Sequence, residues 1–455
     1  MSLLPFRRYY LSANSNRETV FRQVVMENTQ SSKNRTGWKM FDIINKFQPL
    51  FAIPLYFTVL INAPPFWLSL IVALMPLGLR FLVTRRFIRR TPFDLPIMIF
   101  VIAMLVGLIF APYKGVALGT LSSTLASILI FYGLVSNSET GNKYWLWLAA
   151  VICALTLTMS VWFFAQGHGR EFFFNQWAFH FFSGLIGDKG PTLSWNSVGA
   201  LLVVIIPPLF SVALFKNNPF LRAAGLIAGL VFTGILFMTD SGGGWIAVVC
   251  GLALVFICWR IWMLWVVIPL IGIVTSVIVI VFNKIPWLMR TFSWDSFLYR
   301  TKEWSNTFHL LKGSLFFTGL GPGNWVDVYD KQYRAGDIIL HSSYFQFYTD
   351  AGIMGIAALI IAVVVFVRLS LTIRSSPPQN PWQGVGIGLM GSIVAGAVFA
   401  CYDVTFTGTL AAAAGYIYFS IPLLWIIVAL FVVSQQKLMV SQQLFHSMTG
   451  KINTI

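Results

Sequence analysis

Apolar and polar positions alternate in long blocks. Runs of membrane-crossing length lie near 46–62, 65–83, 94–111, 115–135, 144–165, 197–215, 222–239, 244–259, 262–282, 343–367, 383–402 and 414–433. A hydrocarbon core about 30 Å thick takes about 20 helical residues, so the pattern predicts an all-α, polytopic membrane protein with about 12 transmembrane helices. The break between the first two runs is only Ala63-Pro64-Pro65, which suits a tight hairpin because proline lacks a backbone donor and fixes its own φ.

Composition agrees with this reading. Of 455 residues, 57% are hydrophobic and 10% charged, with a mean hydropathy of +0.76. Soluble chains carry about 25% charged residues, so a soluble multidomain protein is excluded. The formal charge of +16 raises nucleic acid as a partner, but the distribution of Lys and Arg argues against it. Basic residues cluster ahead of the first run and at Arg80, Arg85, Arg86, Arg89 and Arg90. With the amino terminus inside, 21 Lys and Arg fall inside and 10 outside, against 5 and 10 acidic residues. That is a positive-inside bias, and an even span count returns both termini to the cytoplasm.

The expected organisation is a disordered cytoplasmic tail over 1–45, an integral membrane domain over 46–433 and a second cytoplasmic tail over 434–455. No short apolar segment with a small-residue cleavage site opens the chain, so the first span reads as an uncleaved anchor. Cys153, Cys250, Cys258 and Cys401 sit in apolar runs without metal or disulfide spacing and read as small hydrophobes. Pro207-Pro208, inside the sixth run, either opens a groove or is a tolerated kink.

Two outer loops, 166–196 and 283–342, are long and rich in aromatic and charged residues, which predicts an ordered cap on one face. The densest chemistry runs from Arg300 to Gly355. His341, Tyr344, Phe345 and Tyr348 follow one another at spacings that share a helix face, and Ser342 or Ser343 can cap that helix. A helix amino terminus disfavours imidazolium, so His341 reads either as a neutral general base or as an interfacial histidine bonded to a loop carbonyl. Arg300 can hold a diphosphate through paired hydrogen bonds, or pair with Glu303 one turn on. Arg290, Arg170 and Lys302 are candidates of the same kind.

Trp304 and Trp325 are candidates for stacking on sugar rings, or interfacial anchors. Gly319-Leu320-Gly321-Pro322-Gly323 reads as a sharp turn, because no strand precedes it and no Lys-Ser/Thr follows. No metal box and no cofactor motif is present in the spacing of His, Cys, Asp and Glu.

The order Arg-x3-Trp, Gly-x-Gly-x-Gly and His-Ser-x-Tyr-x5-Asp-x-Gly-x2-Gly, as it stands between Arg300 and Gly355, resembles the O-antigen ligase and polymerase superfamily. Trp195-Asn196-Ser197-Val198-Gly199-Ala200 and Thr239-Asp240-Ser241-Gly242-Gly243-Gly244-Trp245 add to the likeness, which covers roughly 190 to 430.

The resemblance implies a bacterial inner-membrane glycosyltransferase with a periplasmic active site and no metal or cofactor. Its donor is a glycan on undecaprenyl diphosphate, its acceptor a hydroxyl of lipid A-core or a similar glycolipid. It implies His341 as base and Arg300 as diphosphate ligand; Arg290, Arg170, Lys302, Trp304, Tyr344 and Tyr348 stand beside them as substrate-binding candidates from the residues themselves. Members commonly carry Ser-Arg-Gly where this chain has Ser241-Gly242-Gly243; if that arginine is a second phosphate ligand, Arg170, Arg290 or Lys302 substitutes for it, the donor is handled differently, or activity is reduced. The expected reaction is that of a ligase. A polymerase of the same superfamily is the alternative, ahead of a protein O-oligosaccharyltransferase or a transporter.

Overall fold

The computed structural model describes residues 88–136, 142–165, 195–239, 241–266, 294–333, 340–377, 380–402 and 420–452, with single positions between 70 and 81 and between 268 and 273. The first apolar run, most of the second and ninth, the amino-terminal tail and nearly all of loop 166–196 lie outside the described residues.

The described residues form helices joined by turns, without a strand among them. In chain order they form α1 (Asp94–Phe110), α2 (Lys114–Ser136), α3 (Asn142–Ala165), α4 (Trp195–Phe215), α5 (Pro219–Met238) and α6 (Gly242–Trp259). There follow α7 (Trp294–Leu310), α8 (Leu315–Thr318), α9 (Trp325–Tyr333), α10 (Ser343–Arg374), α11 (Pro381–Phe399) and α12 (Ser420–Ile452). Among the described residues seven helices are long and apolar enough to cross a membrane: α2, α4, α5, α6, α10, α11 and α12. Helix α1, with 17 residues, is at the lower limit of a span.

Local signals set several helix starts. Asn218 accepts from the amides of Phe220 (2.9 Å) and Leu221 (3.3 Å), and Asn380 from that of Trp382 (3.0 Å), each just before a proline at the first helical position. Both are amino-terminal caps that satisfy otherwise orphaned donors.

Helix α4 is the axis of the bundle: 198–206 is buried without interruption, with α5, α6 and α11 packed around it. Helices α6 and α11 meet backbone to backbone. A Cβ on Gly251 would lie 2.6 Å from the Gly391 carbonyl oxygen, a contact that requires glycine.

The proline pair does not interrupt α4, which runs through Pro207 and Pro208. Proline at 208 cannot donate to the carbonyl of Val204, and the Ser392 hydroxyl of α11 donates there instead, at 2.6 Å. The helix therefore tolerates the pair, and the freed acceptor becomes an interhelical tie. Helices α2 and α12 close one side of the bundle, and α1 pairs with α10 on another.

Two segments depart from expectation. Helix α12 continues to Ile452 instead of ending in a disordered tail at 434, since no helix breaker follows the apolar run. Its extension is tied down by the Gln442 amide donating to Ser376 Oγ (3.3 Å) and by Asn380 donating to Ser441 Oγ. The loop 283–342 is itself helical where described. Helices α7, α8 and α9 gather around a small core of Leu311, Leu320, Trp325, Tyr329, Leu340 and Tyr348. All four cysteines are free, and Cys401 is exposed instead of packed.

Candidate functional site

The site forms where α7, the turn 319–323 and the start of α10 meet. On α7 the residues Arg300, Glu303, Trp304 and Thr307 recur at helical spacing along one face. Glu303 and Thr307 are buried, while Arg300 and Trp304 are half-buried. Lys302 lies off that face and is exposed. Arg170 and Arg290 lie outside the described residues.

Helix α7 is held by α9. Trp325 Nε1 donates to Thr307 Oγ1 (3.0 Å), and Asn306 Nδ2 donates to the Tyr329 hydroxyl (2.9 Å). Trp325 is fully buried, so it is a packing residue and has no face for a sugar. The Tyr329 hydroxyl is held above the usual tyrosine range by burial first, and also by the charge of Glu303, against the lowering influence of the Asn306 bond. Helix α9 starts from a turn in which Gly319, Gly321 and Gly323 all have positive φ, of 71°, 89° and 68°. This is the sharp turn read from the glycine spacing. Only glycine takes such angles without strain.

His341 sits just before α10, half-buried between α7 and the bundle. Its pKa is lowered from 6.5 to about 4, by burial first and by the nearby Arg300 charge second. The cause thus differs from the helix dipole suggested by the capping pattern: desolvation and a neighbouring cation keep the imidazole neutral. Ser342 occupies the capping position, but its side chain makes no cap bond.

Three nitrogens around this point are buried without a hydrogen-bond partner: His341 Nδ1, Arg300 Nε and Trp304 Nε1. Such groups are costly unless something else satisfies them. A polar ligand entering between α7 and α10 would find donors and a lone pair already desolvated.

The helix face expected to gather His341, Tyr344, Phe345 and Tyr348 is divided. Phe345 stacks on Trp304 (centroids 5.4 Å, 13°) and meets Phe308 edge-on (5.0 Å). Tyr348 is buried against Phe308 and Phe316, each at 6.0 Å. Tyr344 turns the other way, its hydroxyl donating to the Ala397 carbonyl of α11 at 2.7 Å. There it borders an apolar cavity of about 290 Å³, walled also by Phe93, Phe100, Phe366, Val394 and Trp425.

The upstream motif segments reach the same end of the bundle. Ser241 Oγ, at the start of α6, donates to Asn196 Oδ1, at the start of α4, at 3.1 Å. A Cβ on Gly243 would stand 3.0 Å from that of Tyr402. The chain around Tyr402 returns to the site through Ala400, whose carbonyl accepts from the Ser343 amide at 2.9 Å.

Sequence spacing did not single out Asn306, Gln346 or Asn324 as partners of this assembly. The available signal was the i,i+4 spacing of Gln346 and Asp350. Among the described residues no group of three or more His, Cys, Asp or Glu side chains could hold a metal ion.

No curated protein matches the chain. Residues 226–360, a stretch that contains Arg300, the glycine turn and His341, match the family model of the O-antigen ligase. This part of a multi-pass membrane protein is therefore similar to the O-antigen ligase family, in line with the resemblance carried by the motif between Arg300 and Gly355.

Proposed function

We propose that the protein is a membrane glycosyltransferase of ligase type. It moves a glycan from undecaprenyl diphosphate to a hydroxyl of lipid A-core or a comparable glycolipid, at the periplasmic face of the inner membrane, with both termini in the cytoplasm. One observation carries this reading: a neutral, desolvated His341 stands beside Arg300, each with a buried nitrogen that lacks a partner. The apolar cavity beside Tyr344 supports a substrate carried on a lipid.

In this reaction the acceptor oxygen attacks the anomeric carbon while the bond from that carbon to the diphosphate oxygen breaks. His341 takes the hydroxyl proton, and Arg300 meets the charge of the departing diphosphate. The donor also prepares the base. Burial is the main influence that holds His341 down and the Arg300 charge the second; a diphosphate bound at Arg300 offsets that second influence, so the basicity rises when the donor is in place.

The test is deletion of the gene and complementation with wild type, His341→Ala or Arg300→Ala, with surface glycolipid read on a gel. The ligase reading expects bare acceptor and accumulated carrier-linked polymer from each variant. Acceptors capped with a single repeat unit would indicate the polymerase instead. A full ladder at normal level from His341→Ala or from Arg300→Ala removes that residue from the mechanism.

A further inference from the structure

Asp350 is buried in α10, and the reaction above does not use it. Its Oδ1 accepts from the Gly323 amide at 2.9 Å and from Gln346 Nε2 at 2.6 Å. One residue earlier, the Thr349 carbonyl accepts from the Leu320 amide at 2.6 Å. The first turns of α10 are therefore fastened to the turn 319–323 at two adjacent residues.

The approach is closer than any side chain allows. A Cβ on Gly319 would lie 2.5 Å from the Thr349 carbonyl oxygen, and one on Gly352 would lie 2.1 Å from that of Phe317.

The turn passes the constraint on in two directions. Asn324 Oδ1 accepts from the Tyr113 amide at 2.8 Å, which anchors the turn to the α1–α2 connection. Trp325 and Tyr329, the next residues of α9, hold Thr307 and Asn306 on the helix that carries Arg300. An unbroken set of bonds thus runs from Asp350 through Gly323 and α9 to α7. His341 is at one end of it and Arg300 at the other. Burying a carboxyl group is expensive, and here Oδ1 accepts from two donors on two elements while Oδ2 is buried without a partner, so the group is held in place for those two bonds.

We propose that Asp350 is a positioning residue, which sets His341 against Arg300 by locking the start of α10 to the glycine turn. The inference rests on the reading of those two residues as base and diphosphate ligand. Its physical content, their relative placement, can be measured without turnover.

The experiment uses the purified full chain in nanodiscs. Carbethoxylation of His341 by diethyl pyrocarbonate is followed by mass spectrometry as a function of pH, beside thermal melting, for wild type, Asp350→Asn, Asp350→Ala and Gln346→Met. Asparagine keeps an oxygen for Gly323 and Gln346, so its His341 profile should stay near wild type, with a midpoint about 4.

Alanine should let α10 part from the turn. The midpoint should then rise toward 6.5, the value of a solvated imidazole; at pH 7, where the ring is mostly unprotonated in either case, faster modification would report its exposure. Gln346→Met should move both readings the same way by less, and it carries the test if Asp350→Ala does not fold. An unchanged His341 profile in a folded Asp350→Ala, or in Gln346→Met if alanine does not fold, overturns the proposal. So does an asparagine variant that shifts as far as alanine, since charge and not bond geometry would then be at work. Failure of the glycosyltransferase reading would show in complementation by His341→Ala and would leave these profiles intact.

Discussion

The helix junction of α4, α6 and α11 and the helices α7, α8 and α9 around the site differ in how they gather polar groups. In the bundle, an acceptor freed by Pro208 is taken up at once by Ser392, and glycines bring α6 and α11 into backbone contact. At the cap, buried nitrogens of His341, Arg300 and Trp304 are left without partners, although Trp325, Asn306 and Tyr329 nearby are bonded. Buried groups without a partner also occur one by one in the bundle, at Thr120, Thr124, Ser370, Gln383 and Trp425, whereas at the site three of them gather around one histidine and one arginine. Unsatisfied groups weaken a fold, so where they gather around a histidine and an arginine they mark the place reserved for a ligand.

Substitutions on the two sides should therefore separate chemistry from stability. The largest effect is expected from Arg300→Ala, which should lower the transfer rate about 10²–10³-fold, as removal of a charge-stabilising donor does. Its melting temperature should stay near wild type, and lysine should restore only part of the rate because it lacks the planar fork. A coincident large drop in melting temperature would erase the contrast between the regions.

Gly251→Val is the reciprocal test. A side chain there meets the Gly391 carbonyl, so a loss of about 1–3 kcal/mol in stability is expected, with the rate per folded molecule unchanged. Ser392→Ala should cost about 1 kcal/mol by leaving the Val204 carbonyl without its donor, again visible in thermal or denaturant unfolding and not in turnover.

The smallest effect is a displacement between two pH profiles. The base must be unprotonated, and His341 is held at about 4, so kcat/KM should stay level down to about pH 5 and fall below that. The kcat profile, which reports the donor-bound state, should fall at a higher pH because the diphosphate offsets Arg300. Coincident profiles would mean that donor binding leaves the base untouched.

Much of the helical scaffold was legible as apolar runs, because lipid selects long hydrophobic helices. The runs near 115–135, 197–215 and 222–239 end close to the helices observed. The cap was less legible. Helix α7 mixes Arg300, Lys302 and Glu303 with aromatics, and its apolar face is covered by other cap residues instead of lipid, so no long run announces it.

In the site, Arg300 and His341 could be read as a pair of candidates. The direction of Tyr344 could not, because His341 precedes the helix and the spacing rule holds only within one. Nor could the linkage of Asp350 to Gly323, which joins residues 27 positions apart through a backbone amide and leaves no periodic trace.

Gly352, with φ of 60°, divides the 32-residue α10 into a short first part and a longer second one. A continuous helix of that length would be about 48 Å long and would overrun a hydrocarbon core of about 30 Å, whereas 353–374 alone spans about 33 Å. The kink separates two reading frames for rotation. One alanine inserted within 344–350 would swing His341 by about 100° about the helix axis, away from Arg300. The same alanine inserted near 362 would leave that encounter intact and turn only the lipid-facing rod.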